Sequence, residues 1–313
     1  MAYVTGTTIL AADYNNLIGT STPNTAANQF NTVWGVGFAD RGWGQPVTLT
    51  SLSSQTPVSA ALWATMIGQL NVANAHIGGT SVTQPISGNL IAAFANVSTG
   101  MNYIYSFSSN AATMGATVIG ANAYTVFTDA QATGPFYHAV QRTATFGNTE
   151  QARWFFNAGG YFNINLFPVN LDSTARSADI VTLLGTNINS YPYFRATSGG
   201  GRTGSGGTVN ANVTTTGGGY YNLTSTNVAL VDITSTTSTY LGDNANILVR
   251  YTGTTGTNGD KSPQITFSVA FKSAIKTAPL FNESLSVNVI TRIDTVYPET
   301  TNLANVWGAV TIG

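Results

Sequence analysis

The chain has 313 residues, 43 % of them hydrophobic, enough to bury a sizeable core and to support two domains. A formal net charge of −1 gives neither a basic face for nucleic acid nor an acidic solvating tail. With no Cys and two His, disulfides and Cys/His zinc sites are excluded.

Only 7 % of the residues are charged, against about a quarter in a typical soluble domain. Thr, Asn, Ser and Gly take the place of Lys and Glu. A surface so poor in charge favours association. The composition therefore suits a protein covered by neighbouring copies, or a stable extracellular β-protein, better than a cytoplasmic enzyme. Met1 is followed by Ala2-Tyr3-Val4-Thr5, without the basic and apolar regions of an export signal. No stretch approaches the ~18 uninterrupted apolar residues of a membrane-spanning helix. The expectation is a protein made in the cytoplasm that stays soluble until it assembles.

In chain order, Thr8–Gly19 predicts a helix, with Ile9, Leu10, Tyr14, Leu17 and Ile18 apolar and Gly19 as C-cap. Trp34–Pro46 (WGVGFADRGWGQP) is too rich in Gly for one. The clearest helix follows: Ser59 is a good N-cap, and Leu62, Trp63, Met66, Ile67, Leu70 and Ala73 recur on one face. Leu90, Ile91, Phe94, Val97 and Met101 predict a third.

Beyond about residue 115 the period becomes two. Phe136–Gln141 opens a strand region, and FFNAGGYFNINL reads as a hairpin turning at Ala158-Gly159-Gly160. Ser177–Leu184 predicts one more helix, and Ser198–Gly207 a flexible loop. Strands are expected at Val228–Ile233, Ile247–Tyr251, Ile265–Phe271 and Leu285–Ile293. In ITFSVAF, Ile265, Phe267, Val269 and Phe271 share one face, so one side packs and the other is polar. The pattern predicts an α+β fold: a helical region over 1–114, then a mainly antiparallel β-sandwich-like region over 115–313.

Twelve carboxylates and two histidines leave little material for catalysis. Asp40-Arg41 reads as an ion pair on a turn, and Arg292, Asp294 and Glu299 are scattered. No two acids share a motif that separates a general acid from a base. His76, at a helix C-terminus, and His138, in a strand, read as structural. The Gly-rich segments lack the Lys-Ser/Thr ending of a P-loop. Four Asn-x-Ser/Thr sequons, at Asn96, Asn212, Asn222 and Asn282, are what an Asn- and Thr-rich chain contains by chance. Asn258, Asp260 and Ser262 offer oxygen ligands, but their segment is too short for an EF-hand loop and reads better as a hairpin tip. Tyr191, Tyr193 and Phe194, with Tyr220 and Tyr221, are the candidate carbohydrate platform. No enzyme, cofactor, metal, membrane or nucleic acid is expected.

The opening segments DYNNL…NTVWGVGFADRGWGQP and PVSAALWATMIGQLNVANAHIGGT, followed by the R-W-FFNAGG element, resemble a family of bacteriophage virion structural proteins found in tailed phages, including T4-like cyanophages. The matching residues are Asn15, Leu17, Gly42, Trp43, Gly44, Gln45, Trp63, Leu70, His76, Gly78, Arg153, Phe155, Phe156, Asn157, Ala158, Gly159 and Gly160. Gly219–Thr224 and ITFSVAF are similar to the family's C-terminal strands. Trp43 stands where the family more often has Tyr.

The resemblance implies a non-enzymatic virion component, made in the host cytoplasm, whose partners are its own copies and other neck, tail or capsid proteins. A neck, collar or tail appendage (fibre-like or baseplate-peripheral) is the favoured position. A head decoration protein and a surface carbohydrate-binding adhesin that meets host glycan are the alternatives. Arg153, Phe155, Phe156, Gly159, Gly160, Tyr161 and Phe162 are expected in a core or subunit-contact hairpin. Trp34, Trp43, Gln45 and Trp63 are expected in an attachment region, and a chain starting near Gly115 is expected to fold without it.

Overall fold

The computed structural model describes residues 10–19, 29–37, 41–76, 81–82, 137–169, 175–181, 183, 193–195, 207–210, 219–220, 223–235, 242–257, 260–272, 288–298 and 300–313. Helix α1 (Ala11–Ile18) starts where the Asp13 carboxylate accepts from the Leu10 N–H at 3.2 Å, and Gly19 closes it by donating to the Asn15 carbonyl. Helix α2 (Phe30–Trp34) is a single short turn buried along its length. Helix α3 (Ala60–His76) begins at Ser59, whose hydroxyl accepts from the Leu62 N–H at 3.2 Å. It buries Trp63, Met66, Ile67, Leu70 and Ala73, the face that the 3.6-residue period selects. The helix expected around Leu90–Met101 lies outside the described residues.

The rest is strand-rich: β1 (Tyr137–Thr145), α4 (Thr149–Asn157), β2 (Tyr161–Val169), α5 (Ala175–Ile180), β3 (Tyr193–Arg195), β4 (Gly207–Asn210), β5 (Gly219–Tyr220), β6 (Val228–Thr234), β7 (Asn244–Thr252), β8 (Gln264–Lys272), β9 (Asn288–Val296) and β10 (Thr311–Ile312). Among the described residues these strands make a six-stranded sheet, β10-β1-β8-β7-β6-β4, and a four-stranded sheet, β5-β3-β2-β9. Among the described residues pairing is mainly antiparallel, with parallel pairs at β4–β6 and β3–β5. The fold is α+β.

Strand β8 is the centre of the larger sheet, paired along its whole length with β1 (Ala144↔Ile265) and β7 (Tyr251↔Ile265). Its Ile265, Phe267, Val269 and Phe271 are all buried, as the alternation predicts. In β6 the register slips between Ala229 and Val231, so Leu230 is an inserted residue. Leu230 and Val231 are consequently both buried, where strict alternation would expose one. Phe162 of β2 meets Phe267 of β8 at 5.2 Å between ring centroids, so the two sheets share a buried aromatic contact.

The FFNAGG segment departs from the expected hairpin. Residues Thr149–Asn157 form α4, Ala158-Gly159 is its terminal turn, and only Tyr161 onward is strand. The reason is local. The Asn148 carboxamide oxygen caps the helix by accepting from the Gln151 N–H at 2.8 Å, Glu150 sits in the first turn, and Ala152, Phe155 and Phe156 fall on one buried helical face. The glycines serve the exit from the helix. Gly159 has φ +108°, and a Cβ on Gly160 would lie 2.6 Å from the Phe155 ring. The helix expected over Ser177–Leu184 overlaps α5 only as far as Ile180; Ile180 and, beyond α5, Leu183 are buried, and Leu184 lies outside the described residues. The Ser198–Gly207 loop lies outside the described residues except for Gly207, which opens β4.

Tyr14, Ile18, Phe30, Trp34, Trp43, Trp63, Met66 and Leu70 belong to one buried cluster with Phe155, Phe162, Phe267 and Ile293. Residue 115 thus marks a change of period, while the described parts on either side of it share a core. A chain starting at Gly115 would expose the apolar surface that the N-terminal helices cover. It is expected to lack a cooperative thermal transition in circular dichroism, and a sharp β-type melt would refute the shared core.

Gly159→Ala places a side chain at positive φ, which costs ~1–2 kcal/mol, and Gly160→Ala drives a methyl into the Phe155 ring. Both variants should melt several degrees below wild type. Unchanged melting for both would contradict the turn geometry.

Candidate functional site

Several of the residues that carry the family resemblance, Gly42, Gly44 and His76 among them, meet around α4, whereas Asn15 bonds Leu52 and Gly78 lies outside the described residues. The Trp34–Pro46 loop closes on itself at its base: the Gly44 N–H donates to the Gly35 carbonyl at 2.8 Å and the Gln45 N–H to the Trp34 carbonyl at 2.9 Å. The Trp34 indole N–H donates across the same base to Pro46, at 2.9 Å. This pairing leaves loop carbonyls aimed at α4. The Val36 carbonyl accepts from Arg153 Nη2 at 2.6 Å and from Trp154 Nε1 at 3.0 Å, and the Gly42 carbonyl accepts from Asn157 Nδ2 at 2.9 Å. Gly44, at φ +71°, lies so close to the Trp154 indole that a Cβ there would be 2.3 Å from the ring. The glycines of the loop therefore let its backbone reach a helix of the same chain.

The second charge comes from the β7–β8 connection. Asp260 Oδ1 is 2.8 Å from Arg153 Nη1, and the two side chains are only 1 % and 2 % exposed. A pair held this far from water is weakly screened by salt. At the helix C-terminus, His76 Nε2 contacts the Ala158 carbonyl at 2.9 Å, and its ring stands edge-on to Trp43 at 5.3 Å. Gln45 adds a two-way clamp to the C-terminal segment: its Nε2 donates to the Ala304 carbonyl at 3.0 Å and its Oε1 accepts from the Ala304 N–H at 2.8 Å.

Below this polar layer lie the aromatics. Phe155 and Phe156 are T-shaped at 5.1 Å, and Phe146 touches both at 5.2 and 5.7 Å. Phe162 joins them at 5.8 and 5.9 Å, and Tyr297 meets Phe155 edge-on at 5.7 Å. Such pairs add about 0.5–1.5 kcal/mol each beyond their buried area.

Phe155, Phe156 and Phe162 are thus core residues, Gly159 and Gly160 are buried with them, and Tyr161 is half-buried opposite Val296. The attachment set is corrected. Trp34, Trp43, Gln45 and Trp63 are 8, 1, 4 and 6 % exposed, so in this fold they meet their own chain and have no surface to offer a partner.

The remaining candidates do not converge. Arg41 is buried, while Asp40 and Glu299 lie outside the described residues. His138 pairs with Phe271 in the β1–β8 ladder, and Arg292 and Asp294 sit opposite Asn165 and Asn163 in the smaller sheet. Asp260 is engaged by Arg153 and the Ser262 hydroxyl donates to the Thr252 carbonyl, while Asn258 lies outside the described residues. Register brings Arg195 opposite Tyr220, which sets the aromatic segments Tyr193–Phe194 and Gly219–Tyr220 on neighbouring strands. Tyr191 and Tyr221 lie outside the described residues.

Trp154, and the role of Asp260 as the partner of Arg153, are what sequence reasoning missed. Nothing near Asp260 in the chain announces its partner, and the Trp154 contact becomes visible only once Gly44 is placed beneath it. Chemically the arrangement is a clamp: the opposite charges of Arg153 and Asp260 lie together, and Arg153 Nη2, Trp154 Nε1 and Asn157 Nδ2 donate to backbone carbonyls. Among the described residues no group of three His, Cys, Asp or Glu could hold a metal, and no helix is long and apolar enough to cross a membrane. Comparison with known protein families, with characterised proteins and with solved structures gives no match.

Removing one partner of a buried ion pair costs about 3–5 kcal/mol, whereas replacing both by apolar groups can be close to neutral. Arg153→Met and Asp260→Leu should each shift the urea midpoint strongly, and the double variant should recover part of the loss. Additive effects in this cycle would mean that the two groups are not coupled.

Tyr14 tests the neighbouring core. It is fully buried, its hydroxyl has no hydrogen-bond partner among the described residues, and burial pushes its phenol above the usual value. Below the unfolded phenol's pKa of ~10 both states keep the proton and stability does not depend on this group; above it the unfolded chain ionises first, so stability falls with rising pH until the folded value is passed. Tyr14→Phe should therefore melt at or above the wild-type temperature at pH 7 and lose less stability in alkaline solution. A variant much less stable at pH 7 would show that the hydroxyl is bonded.

Proposed function

We propose that the chain is a non-enzymatic structural subunit of a bacteriophage virion, most consistent with a neck, collar or tail-appendage position and assembly with its own copies. The observation that carries this reading is the joining of the motif segments. Trp34–Pro46, α3 and Arg153–Gly160, on which the resemblance to phage structural proteins rests, are bound to one another by the Val36, Gly42 and Ala158 carbonyls. A motif built of buried framework contacts is what two chains share when they share a scaffold, and it fits a structural role better than a conserved chemistry.

Self-association is supported by the scarcity of charge, which leaves little repulsion between copies. Mass spectrometry of purified phage particles, with stoichiometry against the capsid protein, tests the reading. A fixed multiple copy number supports a virion subunit, and absence from the particle refutes it. Light scattering across a concentration series should find an oligomer whose size changes little between low and high salt, because few charges exist to be screened. A monomer at every concentration would count against self-association.

A surface carbohydrate-binding adhesin is the second reading, favoured by the neighbouring aromatic segments on β3 and β5. Binding to a host glycan array, by a protein missing from particles, would select it.

A further inference from the structure

We draw no further inference here: the strongest candidate, the exposed uncharged face of α3 along Ala61, Thr65, Gly68, Val72 and Ala75, is an unpartnered face of small residues, and nothing in the structure shows what covers it.

Discussion

A guanidinium and a carboxylate buried side by side hold three remote parts of this chain together. Arg153 lies on α4, Asp260 on the connection between two strands of the larger sheet, and the Val36 carbonyl on a loop from the N-terminal region. Taking both charges out of water costs several kcal/mol per ion, so the pair is a poor source of net stability compared with well-packed apolar groups. What it supplies is direction. A planar guanidinium with one edge on Asp260 and another donor on Val36 admits few placements of the loop against the helix. The Trp154 indole uses the same carbonyl, and Asn157 fixes the loop again one turn further along. If Arg153 shifted by one helical position, Gly44 would lose its fit under Trp154, and the aromatic layer behind it would have to repack.

The rest of the polar framework follows from the shortage of charge. Asn15, Asn71 and Gln45 each use one side-chain amide as donor and acceptor toward a single distant residue, namely Leu52, Val82 and Ala304. Each clamp reproduces the two-bond pairing of a strand ladder without a strand. Individually such bonds contribute about 0.5–1.5 kcal/mol. Their value here is that an amide stays neutral, so it can be buried at far lower cost than a Lys or Glu. Thr143, Thr252 and Thr266 do the same on the larger sheet, with hydroxyls 3.1 Å apart across β1, β8 and β7. The high Asn and Thr content is partly an internal requirement, and the surface accounts for only part of it.

Elements were legible in the sequence wherever period and cap agreed. α3 has Ser59 and an unbroken apolar stripe, β8 has seven alternating residues, and both were found close to their expected bounds. α4 was not legible as a helix. Phe155 and Phe156 adjoin a Gly-Gly pair that resembles hairpin chemistry, and over so short a window two neighbouring aromatics fit either period. The deciding features were Asn148 as cap and the spacing of Ala152 from Phe155 and Phe156. β10 is two residues long and exists because β1 offers it an edge at Thr143–Thr145, a tertiary cause with no local trace. The contacts of the site were partly legible: Arg153 and the aromatics could be singled out, and Asp260 could be noted as an oxygen donor, but its pairing with Arg153 could not. A carboxylate in a turn looks the same whether it faces water or an arginine far along the chain.

The structure also alters why association is expected. Two expectations pointed to it, a surface poor in charge and an aromatic segment over Phe155–Phe162 assigned to a core or subunit-contact hairpin. The second is removed, because Phe146, Phe155, Phe156, Phe162, Phe267 and Tyr297 cover one another inside the chain, and the tryptophans of the N-terminal region fill the same core. Large exposed apolar side chains are few among the described residues: Leu10, Val72 and Val181, each on a different helix or flank. No aromatic anchor of the kind that dominates tight interfaces stands among them. Contacts between copies that used the described surface would then rest on small neutral side chains such as Ala61, Thr65, Ala139 and Gln141. Such surfaces gain little from each side chain, so a stable assembly needs either wide areas of contact or many copies held in place by a symmetric particle. In the reading proposed above a virion would provide the second condition, and low charge and an aromatic-filled interior would then be compatible in one chain.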